Sequence, residues 1–348
     1  MNNEPKSYFA AGTVVLTDVG MKFIEDIQVG DRVFGIERKW HTVEQTYKSE
    51  KECYPVKFSG IAPLYTTLET QYVSREMHYQ YINSKDVRVL RSATIKSVSD
   101  MTNNDFAGYP ILQEETTSHY SNEILWLIGR YLADGHTRDS AWNDEHPEKR
   151  IRQVVMTIGT HKLDEFKQKV PTIHFSTYVH QKTACRCTFG VSLWEIIQTE
   201  NLGHKANEKR LPWSLMSLNN KQLKVLLDGY WSGDGYIDNN RHSANSTSKQ
   251  LMYQLALLFS RVYNVPTSLG LHVPPEYRKI KGVVYHQNPY YWMHFSLHAS
   301  RTAQIFNNNS WWSRFEKIDF NGTKMACYGL CVENNSPFLV DNRFVVSR

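Results

Sequence analysis

The stretch Leu127-Ile128-Gly129-Arg130-Tyr131-Leu132-Ala133-Asp134-Gly135 recurs, at a constant offset of 100 residues, as Leu227-Asp228-Gly229-Tyr230-Trp231-Ser232-Gly233-Asp234-Gly235. The leucine, the first glycine, the aspartate and the final glycine are identical in the two copies. Apolar periodicity predicts helices over 123–133 and 222–232, the second opened by Asn219 at capping-box spacing from Gln222. Gly129 and Ala133 lie four apart on one helix face, as do Gly229 and Gly233. Small residues at that spacing let two helices approach closely. A glycine inside a helix costs about 1 kcal/mol relative to alanine, so its use in both copies indicates packing. Gly135 and Gly235 are expected to end their helices in the left-handed conformation.

Each copy ends on an aspartate, where the helix dipole is already negative. Two helices paired through their small faces bring the two acids together, and like charges add to the strain. A divalent cation relieves both problems. Mg²⁺ or Mn²⁺ takes carboxylate, water and phosphate oxygens, and two-metal sites suit in-line attack on a phosphodiester. One such segment alone is usually an ordinary helix stop. Two copies in register make Asp134 and Asp234 the candidate catalytic and metal-binding residues.

Working outward, residues 8–100 alternate in short strand-like runs, among them 13–16, 31–34, 41–47 and 54–58, separated by Gly, Asp and Lys-rich turns. Residues 101–118 are polar and resemble a linker. Strands are expected over 152–158, 183–191, 267–272 and 290–297, with helices over 193–199 and 249–263. After about residue 310 short strands return, at 325–332, 338–340 and 344–346. The order is β, mixed α/β, then β, as for a β domain split by an insertion.

The two motifs resemble the signature helices of LAGLIDADG homing endonucleases, over about residues 120–305. That resemblance implies an α+β chain whose inserted domain has two αββαββα halves related by a pseudo-twofold axis. It also implies strands lying in the major groove of double-stranded DNA, with Asp134 and Asp234 binding the catalytic Mg²⁺ or Mn²⁺. Lys209-Arg210-Leu211-Pro212 resembles the block whose lysine assists catalysis, which makes Lys209 a candidate for polarising water or stabilising phosphate charge; the alternative is a solvated surface lysine. Its counterpart in the second half would be Lys281 or Lys279. On that fold, Arg150, Arg152, Lys182 and Arg186 in the first half are candidate DNA contacts. Arg241, His242, Asn245, Arg278, Lys279 and Lys281 are the candidates in the second. Because the halves differ, a monomer reading a long, loosely pseudo-palindromic target is expected.

The outer segments resemble the intein (Hint) splicing domain, a β horseshoe. The residues carrying this are Phe9-Ala10-Ala11-Gly12-Thr13, Ile24 to Val33, Tyr328 to Glu333 and Phe338 to Val346. The expected domains are therefore 1–118 and 306–348 as the Hint-like parts, with 119–305 as the endonuclease. Splicing chemistry is not expected. Tyr8 stands where a Cys or Ser nucleophile belongs, Thr67-Leu68-Glu69-Thr70 lacks the histidine of that motif, and Ser347-Arg348 replaces the terminal His-Asn pair. Arg88, Arg91 and Lys96 either extend DNA contact to phosphates or belong to a domain kept only for folding. Two rivals to the nuclease reading are a chain that binds DNA or assists RNA splicing without cutting, and a self-splicing intein.

Composition bounds these readings. The chain has 348 residues, 41% hydrophobic, with Lys plus Arg 40 against Asp plus Glu 35. A core is affordable, and the excess of +5 permits nucleic-acid binding without arguing for it. Five cysteines without CxxC spacing suggest reduced thiols rather than a zinc site. No apolar run of about 18 residues predicts a membrane span, so an intracellular, unsecreted protein is expected. Gly159-Thr160-His161-Lys162 lacks the upstream glycine of a phosphate loop, and Trp311-Trp312 is expected in packing.

Overall fold

Segments hundreds of residues apart pair with one another at both ends of this chain, as the split pattern of strands predicts. The computed structural model describes residues 4–82, 85–113, 115–142, 145–146, 148–280, 282–297 and 303–346. The chain is sheet-rich and of α+β class. It divides into two units.

The first unit comprises Met1–Leu112, Tyr263–Gly270 and Phe295–Arg348. Its strands are antiparallel. Phe9–Ala10 pairs with Thr323–Val332, and Arg343–Val346 with both Phe338–Val340 and Gln71–Ile82. Inward-facing residues such as Phe9, Val15, Val33, Val56, Tyr72 and Phe338 form the core. The runs 41–47 and 54–58 are one strand of 19 residues, Trp40–Phe58. Its middle, Lys48 to Glu52, is polar because much of it faces solvent, and backbone pairing with Thr323–Val332, from Val43 to Cys53, holds it. Polarity therefore imitated a turn.

The polar stretch 101–118 is not simply a linker, since Asp105–Pro110 is a fully buried strand between Gln71–Ile82 and Ser310–Ile318. Asp105 is wholly buried but satisfied. Lys96 Nζ donates to its Oδ1 at 2.7 Å, Ser74 Oγ donates to the same oxygen at 3.1 Å, and Thr102 supplies N and Oγ1 to Oδ2. A buried carboxylate is tolerated when its lone pairs are filled in this way. Lys96 is thus committed to Asp105 rather than free for a phosphate, and Arg91 faces Glu76 at 3.6 Å. Gly108 gives the Trp312 ring room, since a Cβ there would lie 2.9 Å from it. Cys53 and Cys327 are joined as a disulfide, while Cys185, Cys187 and Cys331 are free and buried. Counting spacing missed that pair because its partners come from strands at opposite ends of the sequence.

The second unit comprises Gln113–Val262 and Leu271–His294. The helices in chain order are α1 Asn122–Asp134, α2 Leu163–Lys169, α3 Val191–Thr199, α4 Trp213–Met216, α5 Asn220–Asp234 and α6 Lys249–Tyr263. Ser121 Oγ caps α1 by accepting from Ile124 N at 3.3 Å, and Asn219 Oδ1 caps α5 by accepting from Gln222 N at 3.1 Å. A four-stranded sheet has the order Gly135–Ala141, Arg150–Gly159, Ala184–Phe189, Phe175–Gln181. Another has the order Tyr236–Asp238, Arg241–Ser246, Tyr290–Ser296, Ser268–His272. In each copy of the repeat, the helix leads into the edge strand of such a sheet.

Candidate functional site

The small residues of the repeat act at backbone range. A Cβ on Gly129 would overlap the carbonyl oxygen of Leu226, and a Cβ on Gly229 would overlap that of Trp126. Neither is a flexible neighbour, so α1 and α5 pack with their backbones in contact. At the C-terminal end a Cβ on Gly233 would stand 3.0 Å from Asp134 Oδ2. The close crossing therefore carries Asp134, the last residue of α1, to the end of α5, where Asp234 sits.

Gly135 and Gly235 do not adopt the expected left-handed conformation. Their φ values are −87° and −81°, with extended ψ, so the chain passes straight from helix into strand. Glycine is required for clearance instead. A Cβ at 135 would collide with the Tyr131 ring and lie 2.8 Å from its carbonyl oxygen, and one at 235 would lie 2.5 Å from the Trp231 indole.

Electrostatics concentrate at the paired helix ends. Burial raises the Asp234 carboxyl to about 7, and the neighbouring Asp134 adds to the rise, while Arg130 and Lys209 oppose it. Arg130, one turn before Asp134, is nearly fully buried and holds Asp134 Oδ2 with Nη2 at 2.5 Å. Lys209 is only 1% exposed, so it is not a solvated surface lysine. Its Nζ donates to Tyr131 O at 2.9 Å and lies 3.0 Å from the centre of that ring. Burial pushes the Lys209 ammonium well below its ordinary value, against the pull of Asp134 and Asp234. A lysine capping the carbonyl end of α1 offsets the helix dipole there. Burial also raises the Tyr230 hydroxyl, reinforced by both aspartates. His136 is lowered, first by burial and then by Lys209 and Arg186.

Two carboxylates, one of them kept protonated near neutrality by burial and by the other, suit a hard divalent ion. Among the described residues no cluster of three or more His, Cys, Asp or Glu is placed to hold a metal. Such an ion would therefore draw its other oxygens from water or from a phosphate. Asp234 opens on a cleft of about 240 Å³ shared with Asn245, Ser246, Thr247 and Tyr290.

The candidate DNA contacts are not all gathered on one face. Strand alternation puts Arg186 with Thr157 and Tyr178 on the side away from buried Met156, Ile158 and Cys187. His136 and Arg138 share that side through Val155 and Gln153. Arg150 and Arg152 have the opposite parity, and both face Asp139, at 2.7 and 3.8 Å. Lys182 is exposed in the turn before Ala184–Phe189. In the second sheet, Arg241 and Asn245 line a groove of about 200 Å³ with Tyr236, His272, Trp292 and His294. His242 has the other parity and meets the Trp231 ring at 5.6 Å. Arg278 and Lys279 lie on a two-stranded hairpin, Tyr277–Ile280 with Val283–His286. Lys281 lies outside the described residues. The lysine found at the carbonyl end of α5 is Lys162, whose Nζ donates to Ser232 O at 3.3 Å.

Sequence reading missed Arg130, His136 and Lys162. Arg130 was visible at i,i−4 from Asp134, the spacing of a helical ion pair. His136 was visible as the first outward position after a helix that turns directly into a strand. Lys162 carried no signal, because only the tertiary fold takes it to α5.

No curated protein matches this chain. Among solved structures, homing endonuclease I-DmoI in complex with DNA and Ca is similar at 12% identity and a TM-score of 0.36, covering 51% of this chain and 83% of that one. The gp41-1 intein is similar at 21% identity and a TM-score of 0.19, covering 26% and 84%. The N-terminal LAGLIDADG domain of DUF199/WhiA is similar at 12% identity and a TM-score of 0.27, covering 51% and 78%. Residues 221–270, from the first turn of α5 through α6 to Gly270, match the family described as LAGLIDADG-like domain.

Proposed function

We propose that this chain is a site-specific double-strand DNA endonuclease that hydrolyses phosphodiester bonds with Mg²⁺ or Mn²⁺ held between Asp134 and Asp234. The observation that carries the reading is the convergence of two acids at the C-terminal ends of two backbone-packed helices, with Asp234 raised by Asp134. The bound ion would neutralise phosphate charge and favour ionisation of water. Lys209, coupled to both acids, would stabilise negative charge developing beside them. Lys279 and Lys281 stay the candidates for a second lysine. The DNA surface would include Arg186, with Arg138 and His136, in the first half, and Arg241 and Asn245 in the second. Arg150, Arg152 and Lys182 at the sheet margin, and Arg278 and Lys279 on the hairpin, would add phosphate contacts. His242 would support Trp231. A monomer would suffice, since one chain supplies both acids.

The same reading assigns 119–305 to the nuclease, with 1–118 and 306–348 as a Hint-like domain that does not splice. In its support, Tyr8 N and O are taken up by Thr70 and Thr66 hydroxyls at 3.3 and 2.8 Å, with no imidazole at Thr70. Ser7 Oγ is engaged by Val346 O and by Gln71 N. Ser347 and Arg348 lie outside the described residues.

A second reading, DNA binding without cleavage, draws on the Arg130–Asp134 ion pair, which occupies an oxygen a metal would need. Incubating the chain with a randomised DNA library and Mg²⁺, beside Asp134→Asn and Asp234→Asn, separates them. Discrete breaks that vanish in both variants are expected. Specific retention without breaks would favour the second reading, and neither binding nor cutting would remove both.

A further inference from the structure

A cavity of about 370 Å³ lies in the second unit beside the ends of the paired helices, on the other side of Arg130 from Asp134's carboxylate. We infer that it is a binding site for a small planar aromatic anion, a ring system carrying one carboxylate or phosphate group. Its size falls within the range of small-ligand sites. Trp126, Phe166, Trp231 and Tyr236 supply aromatic walls, with Ile158 and Ile237 as aliphatic ones. Trp126 and Phe166 are set edge to face at 5.5 Å, a fixed geometry for a flat apolar body.

The polar groups define the charge. The Arg130 guanidinium is only 4% exposed and lines the cavity. Its Nη2 is taken by Asp134, while Nη1, also buried, has no hydrogen-bond partner among the described residues. A buried charged donor left unpaired is unfavourable, and its best complement is an oxyanion, which a guanidinium binds with directed, charge-assisted hydrogen bonds. Lys162 lines the same cavity, with one Nζ proton given to Ser232 O. Glu165 is the one carboxylate on the wall. Two cations against one anion leave a net demand for a single negative charge. An apolar cavity without such donors would take uncharged guests; this one selects the anion.

The test uses the full chain and calorimetric titration with the naphthalene carboxylate anion and with its uncharged carboxamide. The carboxylate should bind saturably, at least about tenfold tighter than the amide, the margin of one charge-assisted hydrogen bond. Arg130→Met should abolish that preference. Because Arg130 is buried and its variant could lose structure, Ile237→Trp at the exposed rim is the second variant, checked for folding by circular dichroism. It should weaken binding of the carboxylate by about tenfold through loss of space. Equal affinity for acid and amide would overturn anion recognition. Absence of saturable binding, or binding indifferent to Ile237→Trp, would overturn the site itself.

Discussion

Arg130 Nη2 holds Asp134 Oδ2 at 2.5 Å across one turn of α1, while the equivalent position before Asp234 is Tyr230. The two acids of the repeat are therefore chemically unequal. Asp134 is paired with a buried cation, and Asp234 is raised by burial.

Removing that cation should free Asp134. Arg130→Gln is expected to tighten Mn²⁺ binding, measured by titration calorimetry, by roughly tenfold, equivalent to about 1.4 kcal/mol. Unchanged or weaker binding would mean that Arg130 orients the carboxylate for the ion instead of competing with it.

Gly229→Ala should separate α5 from α1, because its Cβ meets the Trp126 carbonyl, which cannot rotate away. A loss of about 1–3 kcal/mol or more in chemical denaturation is expected for overpacking of this kind. Alanine's better helix propensity, worth about 1 kcal/mol, would dominate only if the helices were not in backbone contact. A stabilised variant would therefore refute the packing described.

Gly235→Ala should also destabilise, and Trp231→Leu should restore part of the loss, since the obstruction at 235 is the indole. A double-mutant cycle with a favourable coupling of about 0.5–3 kcal/mol is expected. A left-handed glycine would give no such rescue. Additive losses would count against the clearance argument.

With Asp234 raised to about 7, the folded chain binds its proton more tightly than the unfolded chain does. The stability this contributes is fully present below the ordinary carboxylate range, near pH 4, and is lost as pH rises through about 7. In chelator, wild type should lose stability relative to Asp234→Asn across that interval, by up to about 1.4 kcal/mol per pH unit. Above pH 7 the variant should melt higher. Parallel melting curves from pH 4 to 8 would show that Asp234 is not perturbed.

Both motif helices and their acids were legible because the signal is local: a period of 3.6, small residues four apart, and a repeat that confirms itself. Helix α6 and the strand Phe338–Val340 were placed to the residue for the same reason. What failed depended on distant partners. Asp105–Pro110 looks like a loop until Lys96 and Ser74 explain its buried acid. The φ of Gly135 cannot be known without the Tyr131 ring above it. The split of Arg150 and Arg186 between two sheet faces depends on register, which a single sequence specifies weakly.

The pairing of Trp40–Phe58 with Thr323–Val332 also has a temporal meaning. On the ribosome the first strand emerges long before its partner, at synthesis rates of about 5–20 residues per second. Throughout that wait its ladder groups are unsatisfied, an open template for pairing with another chain. The charged run Lys48 to Glu52 is carried by the very strand that stays orphaned, so the polarity that disguised this strand also keeps the nascent edge soluble until the chain's last segment arrives to cover it.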